Sequence, residues 1–120
     1  MNVFVFGSNR EGRHSKGAAL EARKKYGAIY GQASGRMGSS YGIVTKELRH
    51  NWPPVSLNEI QLGVDGFLEN AILHPQDTFM VTAIGCGLAG FKAEQIAPMF
   101  RNAPDNVKLP EEFKTALEVK

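Results

Sequence analysis

Cysteine is almost missing from this chain: Cys86 is the only one in 120 residues. No internal disulfide and no cysteine-based zinc site can therefore form. Long apolar runs are missing too, so no stretch approaches a membrane span, and no membrane partner is expected. The start, Met1-Asn2-Val3, lacks the charged and apolar regions of a signal peptide. A cytoplasmic location fits each of these absences. Charge of one sign is also scarce, with 14 Lys and Arg against 12 Asp and Glu for a net charge of +2. Apart from Arg23-Lys24-Lys25 and a thin scatter at Arg10, Arg13, His14 and Lys16, the basic residues are dispersed. Without a basic stripe, no nucleic-acid partner is expected. The three histidines, His14, His50 and His74, are far apart, so neither a metal site nor a cofactor is expected. Gly-x-Ser-x-Gly, His-Glu-x-x-His and the Walker sequence are all absent, which removes the best-marked nucleophile, metalloprotease and nucleotide-hydrolase signatures.

Glycine, by contrast, is present at 13 positions, and twice it follows an apolar strand pattern and opens a helix. The first instance is Val3-Phe4-Val5-Phe6, then Gly7-Ser8-Asn9 and, after a polar segment, Gly17-Ala18-Ala19. The second runs Ile84-Gly85-Cys86-Gly87-Leu88-Ala89-Gly90-Phe91. Such loops bring bare backbone close to a ligand, and free N–H groups at the next helix start favour anions. The plainer reading is two tight turns. Asn9 can bond a ribose hydroxyl or close a turn on its own backbone. Lys46 ends a strand pattern in the same region, where an isolated lysine is otherwise a solvated surface group.

No repeat, low-complexity tract or linker interrupts the chain, so residues 1–120 are expected to form one domain. Val3 to Phe6 and Thr78 to Ile84 read as strands covered on both faces, with shorter strands at Ala28-Ile29-Tyr30 and Tyr41 to Val44. Gly31 to Ser40 must then be a loop or hairpin. Gly17 to Tyr26 reads as a helix. Ser56-Leu57-Asn58-Glu59 is a capping box opening a second helix, with Ile60, Val64, Phe67, Leu68, Ala71 and Ile72 on one face and His74-Pro75 at its end. Lys92 to Arg101 is a helix interrupted by Pro98, followed by an edge strand at Asn106 to Leu109 and a helix over Pro110 to Leu117. Alternating strands and helices predict an α/β fold, a three-layer sandwich with a mixed, mostly parallel sheet and helices on both faces. Its ligand site belongs beyond the carboxyl ends of the strands, where both glycine loops would lie.

Three segments together resemble the macro domain, an ADP-ribose-binding α/β sandwich: Ser15 to Ala19 with Arg23 to Gly27, then Tyr41 to Lys46, and then Ile84 to Leu88. Within that family they are most similar to the ADP-ribosyl-glutamate hydrolases and the yeast-type ADP-ribose-1''-phosphate phosphatases. The order and spacing match over about residues 3 to 103. The chain is also similar to short phage and bacterial proteins with Phe-Gly-Ser-Asn and a nearby Gly-Arg-His, which extends the expected location to a phage-infected host. The resemblance implies a macro-like fold truncated at its amino terminus, with ADP-ribose, free or protein-attached, as partner. It implies that Gly85, Cys86, Gly87, Leu88 and Ala89 wrap the diphosphate and that Gly17 and Ala18 approach the distal ribose. Asn9, His14, Gly90 and Phe91 complete the expected ligand contacts. Lys46 stands where the glutamate hydrolases place the lysine that attacks the ribose, making it the candidate catalytic residue. Two departures matter. The branch carries an aspartate where this chain has Ala89, and the amino-terminal strands with the acidic residue that reads adenine have no counterpart. The expectation is therefore a module that binds ADP-ribose or a related ribose-diphosphate nucleotide. The alternatives are a hydrolase acting on ADP-ribosylated glutamate or on ADP-ribose-1''-phosphate, with Lys46, Asn9 or His14 in the chemistry, and a protein-interaction domain.

Overall fold

Alternation along the first strand divides the molecule into two packed layers around a sheet. The computed structural model describes residues 1–118. Strand β1 (Asn2–Asn9) sends Val3 and Val5 into one apolar cluster and Phe4 and Phe6 into another, as a period of two requires. The chain continues through α1 (Gly17–Lys25), β2 (Gly35–Met37), β3 (Ser40–Lys46), α2 (Leu57–Leu73) and β4 (Thr78–Val81). It ends with α3 (Ala93–Ile96), a 3-10 turn (Ala97–Phe100), β5 (Val107–Lys108) and α4 (Glu111–Glu118).

The sheet order is β2-β3-β1-β4-β5. β1 runs parallel to β3 and β4, and β4 parallel to β5, while β2 forms an antiparallel hairpin with β3. Val5 thus lies between Tyr41 and Val81. The chain leaves β1 toward β3 and later crosses back over β1 to reach β4. Right-handed crossovers in opposite directions put their helices on opposite faces. Accordingly α1 packs with Phe6, Ala28 and Met37, while α2, α3 and α4 close the larger cluster around Val3, Ile43, Phe67, Phe79, Phe100 and Phe113. The fold is an α/β three-layer sandwich with a five-stranded, mostly parallel sheet.

Helix α2 forms where its local signals place it. The Ser56 side chain accepts the Glu59 N–H at 3.1 Å, and the Glu59 carboxylate accepts the Ser56 N–H at 3.4 Å. Ile60, Val64, Phe67 and Ala71 are buried, but Ile72 is 62% exposed, because one further residue rotates the side chain about 100° away from the sheet. Pro98 has the expected effect of breaking a helix into α3 and the short turn after it. Pro110 stands just before α4, where its carbonyl accepts the Phe113 N–H at 3.0 Å.

Two strand expectations are corrected. Ala28-Ile29-Tyr30 is irregular, since the Ala28 N–H goes to the Ala22 carbonyl closing α1 and the Ile29 N–H points to the Met37 sulfur at 3.3 Å. With its donors spent there, the segment joins no ladder. β4 stops at Val81 rather than Ile84: the Thr82 N–H makes the last ladder bond, to the Val5 carbonyl at 3.0 Å, its hydroxyl takes the same acceptor at 2.7 Å, and the chain then turns, with the Ile84 N–H donating back to the Thr82 carbonyl at 2.7 Å. β4 is also covered on one face only, leaving Met80 44% exposed on the side that α1 does not reach. Among the described residues no helix is long and apolar enough to cross a membrane.

Candidate functional site

At the carboxyl ends of β1, β3 and β4 lies a crevice of about 450 Å³, within the range of small-molecule sites. β1 is where the chain reverses its direction across the sheet, and ligands of open α/β sheets collect at such a reversal. The floor is backbone. A side chain at Gly7 would start 3.1 Å from Thr45 Oγ1 and 3.4 Å from the Gly85 nitrogen, so only glycine lets β1 approach the loop after β4 this closely.

One wall is the segment between β1 and α1. Arg13, Ser15, Lys16, Gly17, Ala18 and Ala19 all face the crevice. No side chain caps the start of α1 and no acidic residue occupies its first turn, whereas Arg23, Lys24 and Lys25 sit in its last. The positive end of the helix is therefore uncompensated and turned toward the crevice. Asn9 holds this wall in place. Its amide nitrogen donates to the Arg13 carbonyl and its amide oxygen accepts the Arg13 N–H, each at 2.9 Å. Asn9 lines the crevice, but its amide closes a four-residue clamp rather than standing free for a ribose.

The opposite wall is the second glycine loop. Gly85, at φ +76°, opens it in a left-handed conformation that a side chain resists. Two turns follow, closed by Cys86 N–H to the Ala83 carbonyl at 3.2 Å and Gly90 N–H to the Gly87 carbonyl at 3.1 Å. The Phe91 N–H returns to the Gly85 carbonyl at 2.8 Å. Among the described residues no backbone carbonyl accepts the N–H groups of Gly87, Leu88 and Ala89, which belong to the crevice lining. A Cβ at Gly87 would meet no atom within 4 Å, so that position opens into space.

Lys46 spans the two walls. The ladder between β1 and β3 shifts after Ser8, so that Asn9 pairs with Lys46 and Thr45 is passed over. Such a bulge redirects the side chains beyond it. Lys46 Nζ donates to the Leu88 carbonyl oxygen at 3.1 Å. Thr45 Oγ1 donates to the Ser8 carbonyl at 3.3 Å beneath it. The cations of the lining are Arg13, Lys16 and Lys46; no described carboxylate lines the crevice, and Glu11, outside the lining, pairs with Arg13 at 3.3 Å. Hydroxyls of Ser8, Ser15, Thr45 and Thr82 supply the neutral polar groups, and Ala18, Leu48, Ala83, Ile84 and Leu88 the apolar surface.

Of the residues expected from sequence, Asn9, Gly17, Ala18, Lys46, Gly85, Gly87, Leu88 and Ala89 are brought together here. Four others stand outside the lining. Cys86 and Phe91 pack against the larger core and anchor the loop from behind, and burial pushes the Cys86 thiol above its ordinary range. Gly90 lies at the far end of the loop, beyond the lining residues. His14 is fully buried against Phe6 and Tyr30. Sequence reading missed the hydroxyls of Ser8, Thr45 and Thr82 and the leucine at 48. Thr45 and Thr82 were visible as polar positions closing apolar runs. Among the described residues no group of three His, Cys, Asp or Glu side chains could hold a metal ion.

No family model and no curated protein matches the chain. Among solved structures it is similar to a protein of unknown function from Bacteroides thetaiotaomicron, at 20% identity and a TM-score of 0.59, covering 91% of this chain and 87% of that one. At this identity the likeness speaks for the fold alone.

Proposed function

We propose that this chain is a macro-like binding module that holds ADP-ribose or a related ribose-diphosphate nucleotide, free or attached to protein, in the crevice at the ends of β1, β3 and β4. One observation carries the reading. Arg13, Lys16 and Lys46, the open start of α1 and the free N–H groups of the second glycine loop converge on a crevice whose described lining contains no carboxylate. That arrangement favours linked phosphates, which compete with Glu11 for the Arg13 guanidinium. It disfavours the hydrolase reading. Lys46 is tied to the Leu88 carbonyl, and Ala89 supplies no acid or base to complete turnover. The scarcity of cysteine supports a reducing, cytoplasmic setting, and the resemblance to short phage and bacterial proteins supports a bacterium or a phage-infected host.

Thermal unfolding of the full chain with a nucleotide panel tests the reading. ADP-ribose at about 100 times its dissociation constant stabilises by about 2.7 kcal/mol, which raises Tm by several degrees in a domain of this size. Gly87→Val places a branched side chain in the open space of the loop and should abolish the shift while leaving the unliganded Tm within about 2 °C. The reading fails if no nucleotide at millimolar concentration moves Tm, or if the valine variant binds normally.

A further inference from the structure

His14 is a buried titratable group for which neither the fold nor the proposed binding chemistry has a use. Its side chain has no solvent exposure, and neither ring nitrogen has a hydrogen-bond partner. A neutral imidazole in that position already leaves polar atoms unsatisfied, and an imidazolium would be a buried, unpaired charge. The ring meets Phe6 of β1 edge-on at 5.3 Å and Tyr30 at 6.4 Å. The cation nearest in effect is Arg23 of α1, whose guanidinium lies 5.4 Å from the Tyr30 ring centre and repels a second positive charge. Only the Gln32 backbone favours the charged form, and it is outweighed by burial, which pulls the imidazole below its ordinary value. β1 contributes Phe6, the segment after α1 contributes Tyr30 and Gln32, and α1 contributes Arg23.

The segment that carries this ring is the crevice wall itself. Arg13 precedes it, and Ser15, Lys16 and Gly17 follow, all in the lining. Arg10 fixes the start of the segment through its N–H to the Lys46 carbonyl and its pairs with Glu47 and Glu59; beyond it, besides the ring, the segment is held by the Gly12 N–H to the Asn9 carbonyl, by the Asn9 clamp on Arg13 and by the Gly31 N–H donating to the Gly12 carbonyl at 2.8 Å. Ejecting the ring therefore moves the residues on either side of it.

We propose that His14 is a positioning residue that gates the crevice by protonation: neutral, its ring keeps residues 11–17 seated on β1, and protonated, it leaves its slot and withdraws Arg13, Lys16 and Gly17 from the ligand. The direction follows from linkage. An exposed imidazole titrates near about 6.5, and the buried ring takes up its proton only at lower pH, so opening is accompanied by proton uptake. Opening is unaffected well above pH ~6.5. Below it, the open fraction rises by up to about tenfold per pH unit until the buried ring itself is protonated.

Amide hydrogen exchange of the unliganded full chain at about pH 7.5, 6.5 and 5.5 tests the gate without reference to any ligand, with residues 60–71 of α2 as the internal standard. Protection of the hydrogen-bonded amides of residues 11–17, Gly12 and Arg13, should fall by up to about fivefold between the last two values while α2 holds. His14→Phe keeps an aromatic ring between Phe6 and Tyr30 and should remove the fall. Constant protection in the wild type, or the same fall in the variant, overturns the proposal. Should the variant fail to fold, NMR titration of the wild-type ring decides: a His14 ring that titrates near its ordinary value of about 6.5 with residues 11–17 still protected overturns it equally.

The second arm rests on the proposed binding function. ADP-ribose is suitable because its linked phosphates lack the second ionisation, near about 6, of a phosphate monoester. Its affinity should weaken in parallel with the loss of protection in the wild type and stay level in the variant. Absence of ADP-ribose binding at about pH 7.5, with the exchange difference intact, rejects the nucleotide reading and upholds the gate.

Discussion

The Lys46 ammonium and the Leu88 carbonyl oxygen are 3.1 Å apart, and the next residue, Ala89, has only a methyl group to offer the crevice. A lysine acts as a nucleophile on a sugar carbon only when its amine is free and deprotonated. Here the amine braces β3 to the glycine loop, and position 89 offers no carboxylate to draw it away, take its proton or complete turnover. The resemblance places a carboxylate at position 89 in the hydrolysing branch, so the pair supplies a direct test. Ala89→Asp should raise release of ADP-ribose from ADP-ribosylated glutamate by about 100-fold or more over the unaltered chain, the ordinary scale of a positioned acid or base. Lys46→Ala in that background should return it to the unaltered level. A release assay with intact-mass analysis for a ribosyl adduct on Lys46 reads both. Rapid turnover by the unaltered chain that survives Lys46→Ala would contradict the binding-module reading.

Between elements, the crevice rim is fixed by a charged cluster that no single segment contains. Arg10, just after β1, donates to Glu47 at 3.0 Å, to the Pro53 carbonyl at 2.8 Å, and to both Glu59 oxygens at 2.6 and 2.7 Å. Glu59 is also the acceptor of the capping box, so one guanidinium joins the ends of β1 and β3 to the start of α2. Glu47 has a side chain only 1% exposed, and its hydrogen bonds from Arg49, with Arg10 adding to them, hold its pKa at about 2 against an ordinary 4.5. Arg49 in turn lies 3.7 Å from the Trp52 ring centre and 3.6 Å from Glu11. Because the folded value is depressed, the stabilisation is complete above about pH 4.5 and is lost as pH falls through about 2. Glu47→Gln should therefore lower Tm most above pH 4.5, with the gap to the wild type narrowing steadily toward pH 2. Paired thermal melts across that range check it, and a gap independent of pH would show that the carboxylate charge is not what binds the rim.

The whole molecule has a Cα radius of gyration of 13.3 Å, against about 13.6 Å expected for a single domain of this length. Its stability is concentrated on the α2 side of the sheet. Phe67 meets Tyr41 at 5.1 Å, Phe79 at 5.4 Å and Phe100 at 6.3 Å, linking α2 to β3, β4 and the turn after α3. Phe67→Ala should cost about 3–5 kcal/mol and lower Tm by roughly 10 °C or more. Leu62→Ala on the same helix, at a position 72% exposed, should stay within about 0.5 kcal/mol. Denaturant unfolding of the two variants compares them, and equal losses would mean that the core is not organised around this ring cluster. The α1 side is a smaller cluster, built from alanines around Phe6 and Met37, and the crevice wall leads into it.

The sequence by itself determined what local signals can carry. The capping box and period of α2, the apolar run of β1, the break at Pro98 and the glycine loops after two strands depend on residues within a few positions of one another. Those signals sufficed for the α/β layers and for the region of the site. Tertiary structure decided which loop residues face the crevice. Cys86 and Phe91 turn to the core while Gly87 and Leu88 turn outward, because the path of the loop is set by its packing on Ile96 and not by its own composition. The burial of His14 and the clustering of Arg13 and Lys16 with Lys46 likewise join separate elements, and the Arg10 junction brings together groups 37 to 49 residues apart in the chain. Pairings at that separation leave no periodic trace. They follow only from the order in which parallel strands take their places, which here turns β1 into the centre of the sheet and its carboxyl end into the floor of the crevice.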